Sequence, residues 1–365
     1  MVLADMYAMK VLSIVGARPQ FVKLAPLHKE ISRRHQHYIL HTGQHYDPQM
    51  NDSFFSILDI PAPDCNLGVG SGPHGEQTGR MMMEMEGILQ DTDPDVVYLY
   101  GDTNSTVAGA LVAAKLGMPI AHIEAGPRLY DRHNPEEINR VVTDHLSQLL
   151  FCPSEVSRLN LQREGILEGV HVTGDLMVQI LHQVQGRLST EPLSRFSLQE
   201  GGYVLCTLHR AENVDHPGKL REILSALAEI PYDVVLPMHP RTRKTISQFG
   251  LSGILEGAEN VKVSEPLDYL SFLSLNKHAH VVLTDSGGVQ KEAYVFNTPC
   301  LTVFHNTGWV ETVDEGWNHL LPADRGAIVS AMREVRRPDS YLASYGGSDV
   351  AAKMLHITEE YLTKV

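Results

Sequence analysis

Runs of nearly unbroken apolar residues, each closed by a glycine or a polar cluster, recur along this chain with helix-length segments between them. They lie at 10–16, 37–43, 96–102, 119–126, 149–154 and 170–175, and again at 203–209, 232–239, 261–266, 280–286 and 299–304. A strand that is apolar on both faces must be covered on both. A helix between successive strands makes them parallel, so the pattern predicts doubly wound parallel sheets of the α/β class. No strand fits between Val178 and Gly202, where Pro192, Gly201 and Gly202 punctuate the chain. The boundary is placed there, which gives units of 1–178 and 179–350 and a closing helix over 351–363. With 365 residues, 43% of them apolar, the chain is long for one core and rich enough for two.

The charge balance narrows the partners. A formal net charge of −14 excludes nucleic acid and anionic membrane as main partners, since both demand a basic footprint. No run approaches a membrane span and no opening segment has the layout of a signal peptide. Cys65, Cys152, Cys206 and Cys300 are scattered without C-x-x-C spacing and read as reduced thiols of a cytoplasmic protein. Nineteen histidines raise the question of a metal, but no His-Glu-x-x-His motif or His/Cys cluster occurs. His35, His37, His41 and His45 straddle a strand and its exit, and strand positions that alternate faces do not converge on one ion. No metal site is assigned.

In doubly wound sheets ligands bind beyond the carboxyl ends of the strands, which turns the strand list into a list of candidate groups. The first half offers Arg18 after Gly16, His45 after Gly43, Asp102, Glu124, and then Arg128, Asp131 and Glu136. The second offers His209 with Arg210, His239 with Arg241, and Asp285 leading into Ser286, Gly287 and Gly288. Two such units facing each other would set both groups across one cleft. The segment 283–293 is the most pointed of these. Paired glycines at a helix start leave backbone N–H groups beside the positive end of the helix dipole, which suits phosphate. Glu292, nearly two turns in, can reach a ribose diol past a diphosphate, although a capped helix after a core strand has the same pattern. Glu124 is a solitary carboxylate in an apolar strand, costly unless it is paired with an arginine or functional. Asp102 ends the neighbouring strand in sequence, and two carboxylates in one cleft separate into an acid and a base. Glu136 and Glu137 also fit as dipole partners of a helix start, Arg18 as a surface ion pair, and His209 as either a proton shuttle or a packed core histidine. The glycines at 68, 70 and 72 have no strand before them and read as a flexible loop.

Taken in order, the stretches 16–19 (Gly-Ala-Arg-Pro), 42–45 (Thr-Gly-Gln-His), 101–103 (Gly-Asp-Thr), 122–126 (His-Ile-Glu-Ala-Gly), 135–140 (Pro-Glu-Glu-Ile-Asn-Arg), 172–174 (Val-Thr-Gly), 209–213 (His-Arg-Ala-Glu-Asn) and 284–290 (Thr-Asp-Ser-Gly-Gly-Val-Gln) resemble the non-hydrolysing UDP-N-acetylglucosamine 2-epimerases over nearly the whole chain. The resemblance implies a GT-B fold of two Rossmann-like units with the site in the cleft and the segment 351–365 packing back on the first unit. It implies elimination of UDP to a 2-acetamidoglucal and re-addition with C2 inverted, with no NAD, metal or other cofactor, in a cytoplasmic homodimer. By the same resemblance Asp102, Glu124 and Glu136 match the catalytic carboxylates, and Arg18 and His209 the groups that assist the leaving diphosphate. Ser286, Gly287 and Gly288 match the phosphate loop, Glu292 the ribose contact and Phe272 a residue near the uracil. Lys23, His45, Arg140, Arg210, Asn213 and His239 complete the expected contacts to a UDP-N-acetylhexosamine. The alternatives are a hydrolysing 2-epimerase, a UDP-sugar glycosyltransferase of the same fold, or a nucleotide-sugar sensor. Three positions depart from the family pattern. Phe304 stands where Arg is expected, Gly308 where Glu is, and Glu76 near an Arg that binds an activating nucleotide sugar in some members. The departures bear on the sugar and on activation more than on the reaction, and a sugar altered at C3, C4 or C6 is expected to be accepted.

Overall fold

The computed structural model describes residues 8–44 and 60–364, with Arg18 described by its backbone alone. The chain divides into two compact units. Unit 1 runs up to Gln183 and takes in the residues from Ser344 onward; unit 2 is Val184–Ala343.

Unit 1 is built on β1 (Lys10–Val15), β2 (Gln36–His41), β3 (Cys65–Asn66), β4 (Val96–Tyr100), β5 (Ile120–Ile123), β6 (Leu149–Cys152) and β7 (Val170–Val172). Their spatial order is β3-β2-β1-β4-β5-β6-β7, with every pair parallel. The central strands are buried on both faces, as their unbroken apolar sequence requires: all five residues of β4 are buried, Tyr98 and Tyr100 included. Leu12, Ile14, Val97 and Leu99 form one core with Met81, Met85 and Leu89 of the His74–Thr92 helix.

Unit 2 repeats the plan with β8 (Tyr203–Thr207), β9 (Asp233–Pro237), β10 (Val261–Ser264), β11 (Val281–Thr284), β12 (Cys300–Val303) and β13 (Asn318–Leu321). The order is β10-β9-β8-β11-β12-β13, again all parallel. This is the GT-B plan of two Rossmann-like sheets expected from the sequence. The reading is corrected in two places: it contains neither β3, two residues long, nor β13, whose four residues vary in burial and give no apolar run. The interval around 178–202, where no strand was expected, carries none, and is occupied by the helices Leu176–Val184 and Glu191–Arg195.

The closing helix, Val350–Leu362, belongs to unit 1. The Tyr98 hydroxyl donates to Thr358 Oγ1 at 2.6 Å, and His35 Nε2 lies 2.9 Å from Glu359 Oε1. These contacts satisfy polar groups that burial would otherwise penalise. In each sheet the strand order reverses once, between β1 and β4 in unit 1 and between β8 and β11 in unit 2. Those reversals leave a crevice at the carboxyl ends of each sheet, and Asp102 follows β4 in unit 1 as Asp285 follows β11 in unit 2.

Candidate active site

In unit 1 the chain leaves β4 through Gly101 and Asp102, and β5 through Glu124. Gly101 has φ +64°, a left-handed conformation that costs glycine little; Glu124 has φ +69°, which is strained for a side chain with a Cβ. Each carboxylate is held by its own cation. Lys23 Nζ lies 2.7 Å from Glu124 Oε2, with both side chains almost fully buried. Arg140 Nη2 donates to Asp102 Oδ2, and its Nη1 lies 2.8 Å from Glu137 Oε2. Burial by itself would lower the Arg140 pKa, but the charges of Asp102, Glu137 and Glu124 together raise it, so the guanidinium stays charged. The two clusters adjoin: a side chain on Gly101 would point to within 3.6 Å of Lys23 Nζ and 3.7 Å of Glu124 Oε1.

The loops that carry these groups are pinned from below. Gln20 accepts from Gly16 N and Ala17 N at 2.7 and 3.0 Å and donates to Tyr100 O at 2.7 Å, welding the exit of β1 to that of β4. Gly16 admits no side chain, because a Cβ there would collide with Thr42 Oγ1 and Ser105 Oγ. Behind Asp102 lies a fully buried ionic group. His122 places Nε2 2.7 Å from the Gly101 carbonyl and Nδ1 2.6 Å from Asp144 Oδ1. Both partners are acceptors, so both ring nitrogens donate. Asp144 also meets Arg128 Nη1 at 2.7 Å, and Arg128 makes a bidentate pair with Glu164 at 2.7 Å. Burial would raise the Asp144 pKa, yet His122 and Arg128 together hold it below the ordinary aspartate value.

In unit 2 the centre is Asp285, which follows β11 and is fully buried. Its carboxylate accepts from the backbone N–H groups of His209 and Arg210 at 3.1 Å each, and from Asn213 Nδ2 at 3.3 Å. His209 Nδ1 stands 2.9 Å from Asp285 Oδ1. Burial would raise the Asp285 pKa, but the bond and charge of His209 and the donors at Arg210 and Asn213 lower it, so the group stays anionic. The His239 ring lies 5.6 Å from that of His209, and His239 caps its own helix, with Nδ1 accepting from Arg241 N at 3.2 Å. Ser286 precedes the helix Gly287–Val295, and a Cβ on Gly287 would come 3.3 Å from Trp309 Nε1. The Arg210 guanidinium lies 4.4 Å above the Phe304 ring, and Lys291 Nζ lies 3.7 Å from the Trp309 ring.

Lys23, Asp102, Glu124 and Arg140 thus form one connected group in unit 1, and His209, Arg210, Asn213, His239 and Ser286 gather around Asp285 in unit 2. Arg18 begins the Arg18–Ile31 helix, at the exit of β1. His45 lies outside the described residues. Glu136 is exposed in the first turn of the Pro135–Leu146 helix, while its neighbour Glu137 is buried on Arg140 and accepts from Leu129 N and Tyr130 N. The Asn213 amide donates to Asp285 and to the Val303 carbonyl, which is a structural use of that group. Phe272 packs on the core of unit 2 and Glu292 is buried in the second turn of its helix. Asp144 and Gln20 escape a reading of strand ends as a ligand-facing list, because they serve the backbone of those ends; Asp285, which that reading includes, serves the backbone of His209 and Arg210. The one sequence signal of Asp144 and Gln20 is a polar residue where an apolar one would pack. Among the described residues no group of three or more His, Cys, Asp or Glu is placed to hold a metal ion, and no helix is long and apolar enough to cross a membrane.

Comparison with known proteins bears on this geometry. The sequence model of a family described as UDP-N-acetylglucosamine 2-epimerase matches residues 29–359. The chain is 44% identical over 369 residues to the UDP-2,3-diacetamido-2,3-dideoxy-D-glucuronate 2-epimerase of Pseudomonas aeruginosa, covering 98% of this chain and 100% of that protein. It is 43% identical over 334 residues to the UDP-N-acetylglucosamine 2-epimerase of Methanocaldococcus jannaschii, covering 89% and 91% of the two. The crystal structure of the M. jannaschii UDP-GlcNAc 2-epimerase in complex with UDP-GlcNAc and UDP matches with a TM-score of 0.89 at 40% identity, over 96% of this chain and 100% of that one.

Proposed function

Because this chain belongs to the UDP-N-acetylglucosamine 2-epimerase family, we propose that it interconverts a UDP-N-acetylhexosamine and its C2 epimer, with UDP-N-acetylglucosamine or a close analogue as substrate. The observation that carries the reading is the pair Asp102 and Glu124, which stand at neighbouring strand ends and are ion-paired with Arg140 and Lys23. Inversion at C2 requires a proton to leave one face and another to arrive on the opposite face, and two carboxylates supply both. In the forward step the C2–H bond breaks toward a carboxylate and its electron pair forms the C1=C2 bond. The C1–O bond breaks with its pair on the diphosphate oxygen. In the return step UDP adds back to C1 as C2 is protonated from the other side. In unit 2 the N-terminus of the Gly287–Val295 helix receives the diphosphate, with His209 and Arg210 beside it and Glu292 on the ribose. Glu136, on the exposed first turn of its helix, is the third carboxylate of this reading, and Arg18 a further diphosphate cation.

The sugar is best read as one altered away from C1 and C2. Phe304 offers an apolar wall where the family pattern has a cation, and Gly308 leaves room. The P. aeruginosa relative acts, by its name, on such a sugar. The same reading makes the protein a cytoplasmic homodimer, and light scattering of the pure chain checks the assembly.

The test is incubation with UDP-N-acetylglucosamine alone in D2O, followed by proton NMR. Appearance of the manno isomer carrying deuterium at C2 supports the elimination route. Free N-acetylmannosamine identifies a hydrolysing enzyme, and an unchanged substrate that binds without turnover identifies a transferase or a sensor. Running the diacetamido glucuronate substrate in parallel decides the sugar.

A further inference from the structure

Two histidines flank the phosphate-binding end of unit 2, and their surroundings differ at one atom. The His209 ring is partly exposed, but its Nδ1 faces the buried carboxylate of Asp285 at 2.9 Å. Asp285 is kept anionic by its donors and has no hydrogen to give, so His209 Nδ1 must carry one. At His239 the roles reverse. Its Nδ1 accepts from the Arg241 backbone N–H, which is possible only while that nitrogen is bare. Burial, with the His209 and Arg241 charges adding to it, lowers the His239 pKa, so the ring is neutral and its proton sits on Nε2.

We propose that Asp285 and the Arg241 amide fix opposite protonation patterns in this pair. His239 is an Nε2–H donor that binds, and His209, with a proton on Nδ1 facing Asp285, exchanges its proton at Nε2.

Asp285 is then a positioning residue. It touches no substrate, but it selects which nitrogen of His209 faces the ligand and supports positive charge on that ring, as a carboxylate behind a general-acid histidine does. Its other bonds, to the His209 and Arg210 backbone N–H groups, fix the direction from which the ring emerges from β8. The assignment rests on the epimerase reading for its catalytic meaning. In the elimination His209 Nε2–H donates to the diphosphate oxygen as that oxygen takes the electron pair of the C1–O bond, and Nε2 recovers the proton when UDP adds back. His239 donates to the same anion without losing its proton, so only one of the two histidines carries the pH dependence of leaving-group departure. The other charged groups at this end are Arg210, Arg241 with its ion-pair partner Asp215, and the helix N-terminus at Gly287.

The experiment is nitrogen-15 NMR of the full chain with labelled histidine and no ligand, with resonances assigned by His209→Asn and His239→Asn. It reads tautomers directly and does not depend on turnover. His209 is expected to show a protonated, pyrrole-type Nδ1 at every pH where the fold holds, and His239 a bare, pyridine-type Nδ1. A pyridine-type Nδ1 on His209, or a pyrrole-type Nδ1 on His239, overturns the proposal in the native protein without any variant. In Asp285→Asn the His209 signals should move to a mixture of tautomers and kcat should fall by about 10²-fold to 10⁴-fold, with KM for the nucleotide sugar changed much less. Unchanged tautomers with unchanged kcat would equally overturn it. If Asp285→Asn does not fold, the native spectrum decides alone. If the tautomers are as assigned but UDP-N-acetylglucosamine and its analogues are not epimerised, the epimerase reading fails while the tautomer assignment stands.

Discussion

Asp144 shows how much a single buried charge can be asked to hold. It meets His122, Arg128 and the Gly126 amide with no solvent, and His122 passes the constraint to the Gly101 carbonyl, next to Asp102. Asp144→Asn leaves Arg128 and His122 facing a neutral amide, and breaking one member of a buried ionic group costs about 3–5 kcal/mol. Urea denaturation should show that loss, and a midpoint within error of the native protein's would mean that the group is held by its neighbours without it. The carboxylates in front behave differently. Asp102→Asn and Glu124→Gln each should lower kcat by about 10²-fold to 10⁴-fold, and near-native turnover in both would remove them from the mechanism. These two residues were legible because a carboxylate ending or interrupting an apolar run is conspicuous. Asp144 was not, since an aspartate in an amphipathic helix looks like surface until the fold turns it inward. Glu137 shows the same limit: the sequence offers two adjacent glutamates, and only the helix phase decides which is buried on Arg140 and which is left in solvent.

Among the elements, the Gly287–Val295 helix is entered through a glycine that faces an aromatic ring. The space beyond the Gly287 Cα is bounded by the Trp309 indole, so Gly287→Val pushes against that ring and against the backbone amides proposed to receive the diphosphate. UDP binding by calorimetry should collapse while the circular dichroism spectrum persists; undiminished affinity would put the nucleotide elsewhere. The loop after β12 controls a different property. Phe304 carries Arg210 on its face, so the cation that the sequence lacks at position 304 is replaced by one lying over the ring. Phe304→Arg places two guanidinium groups together and should shift preference toward plain UDP-N-acetylglucosamine, read as the ratio of kcat/KM for it and for the diacetamido glucuronate. An unchanged ratio would mean that this loop does not face the sugar. Long apolar strands announced themselves in the sequence, whereas β3 and β13 are made strands by their neighbours. A two-residue bridge and a partly exposed edge strand have too little side-chain pattern of their own.

Across the whole molecule, acid is the condition that the buried polar groups resist worst. His37, stacked on His28 and bonded to Ser13, has its pKa pushed down to about 3 by burial, with the charge of His28 adding to it. The unfolded chain takes up that proton near pH 6.5 and the folded one does not, so this contribution to stability is complete above that pH and is lost as the pH falls toward 3. Asp144 and Asp285, both lowered, add a second loss below the ordinary aspartate value. Denaturation midpoints should therefore fall steadily between pH 7 and pH 4, at up to about 1.4 kcal/mol per pH unit for each proton excluded. His37→Gln should flatten the upper part of that slope, and an unaltered slope would assign the acid sensitivity to other groups. The division of the chain also has a consequence for its birth. Unit 1 is interrupted by all of Val184–Ala343, and the Val350–Leu362 helix that supplies Thr358 and Glu359 to Tyr98 and His35 is translated after it. At about 5–20 residues per second the delay is on the order of ten seconds. Unit 2 has its whole sheet by Leu321, so the nascent chain completes its second unit before its first, and for that interval unit 1 waits at the ribosome with the seat of its last helix open.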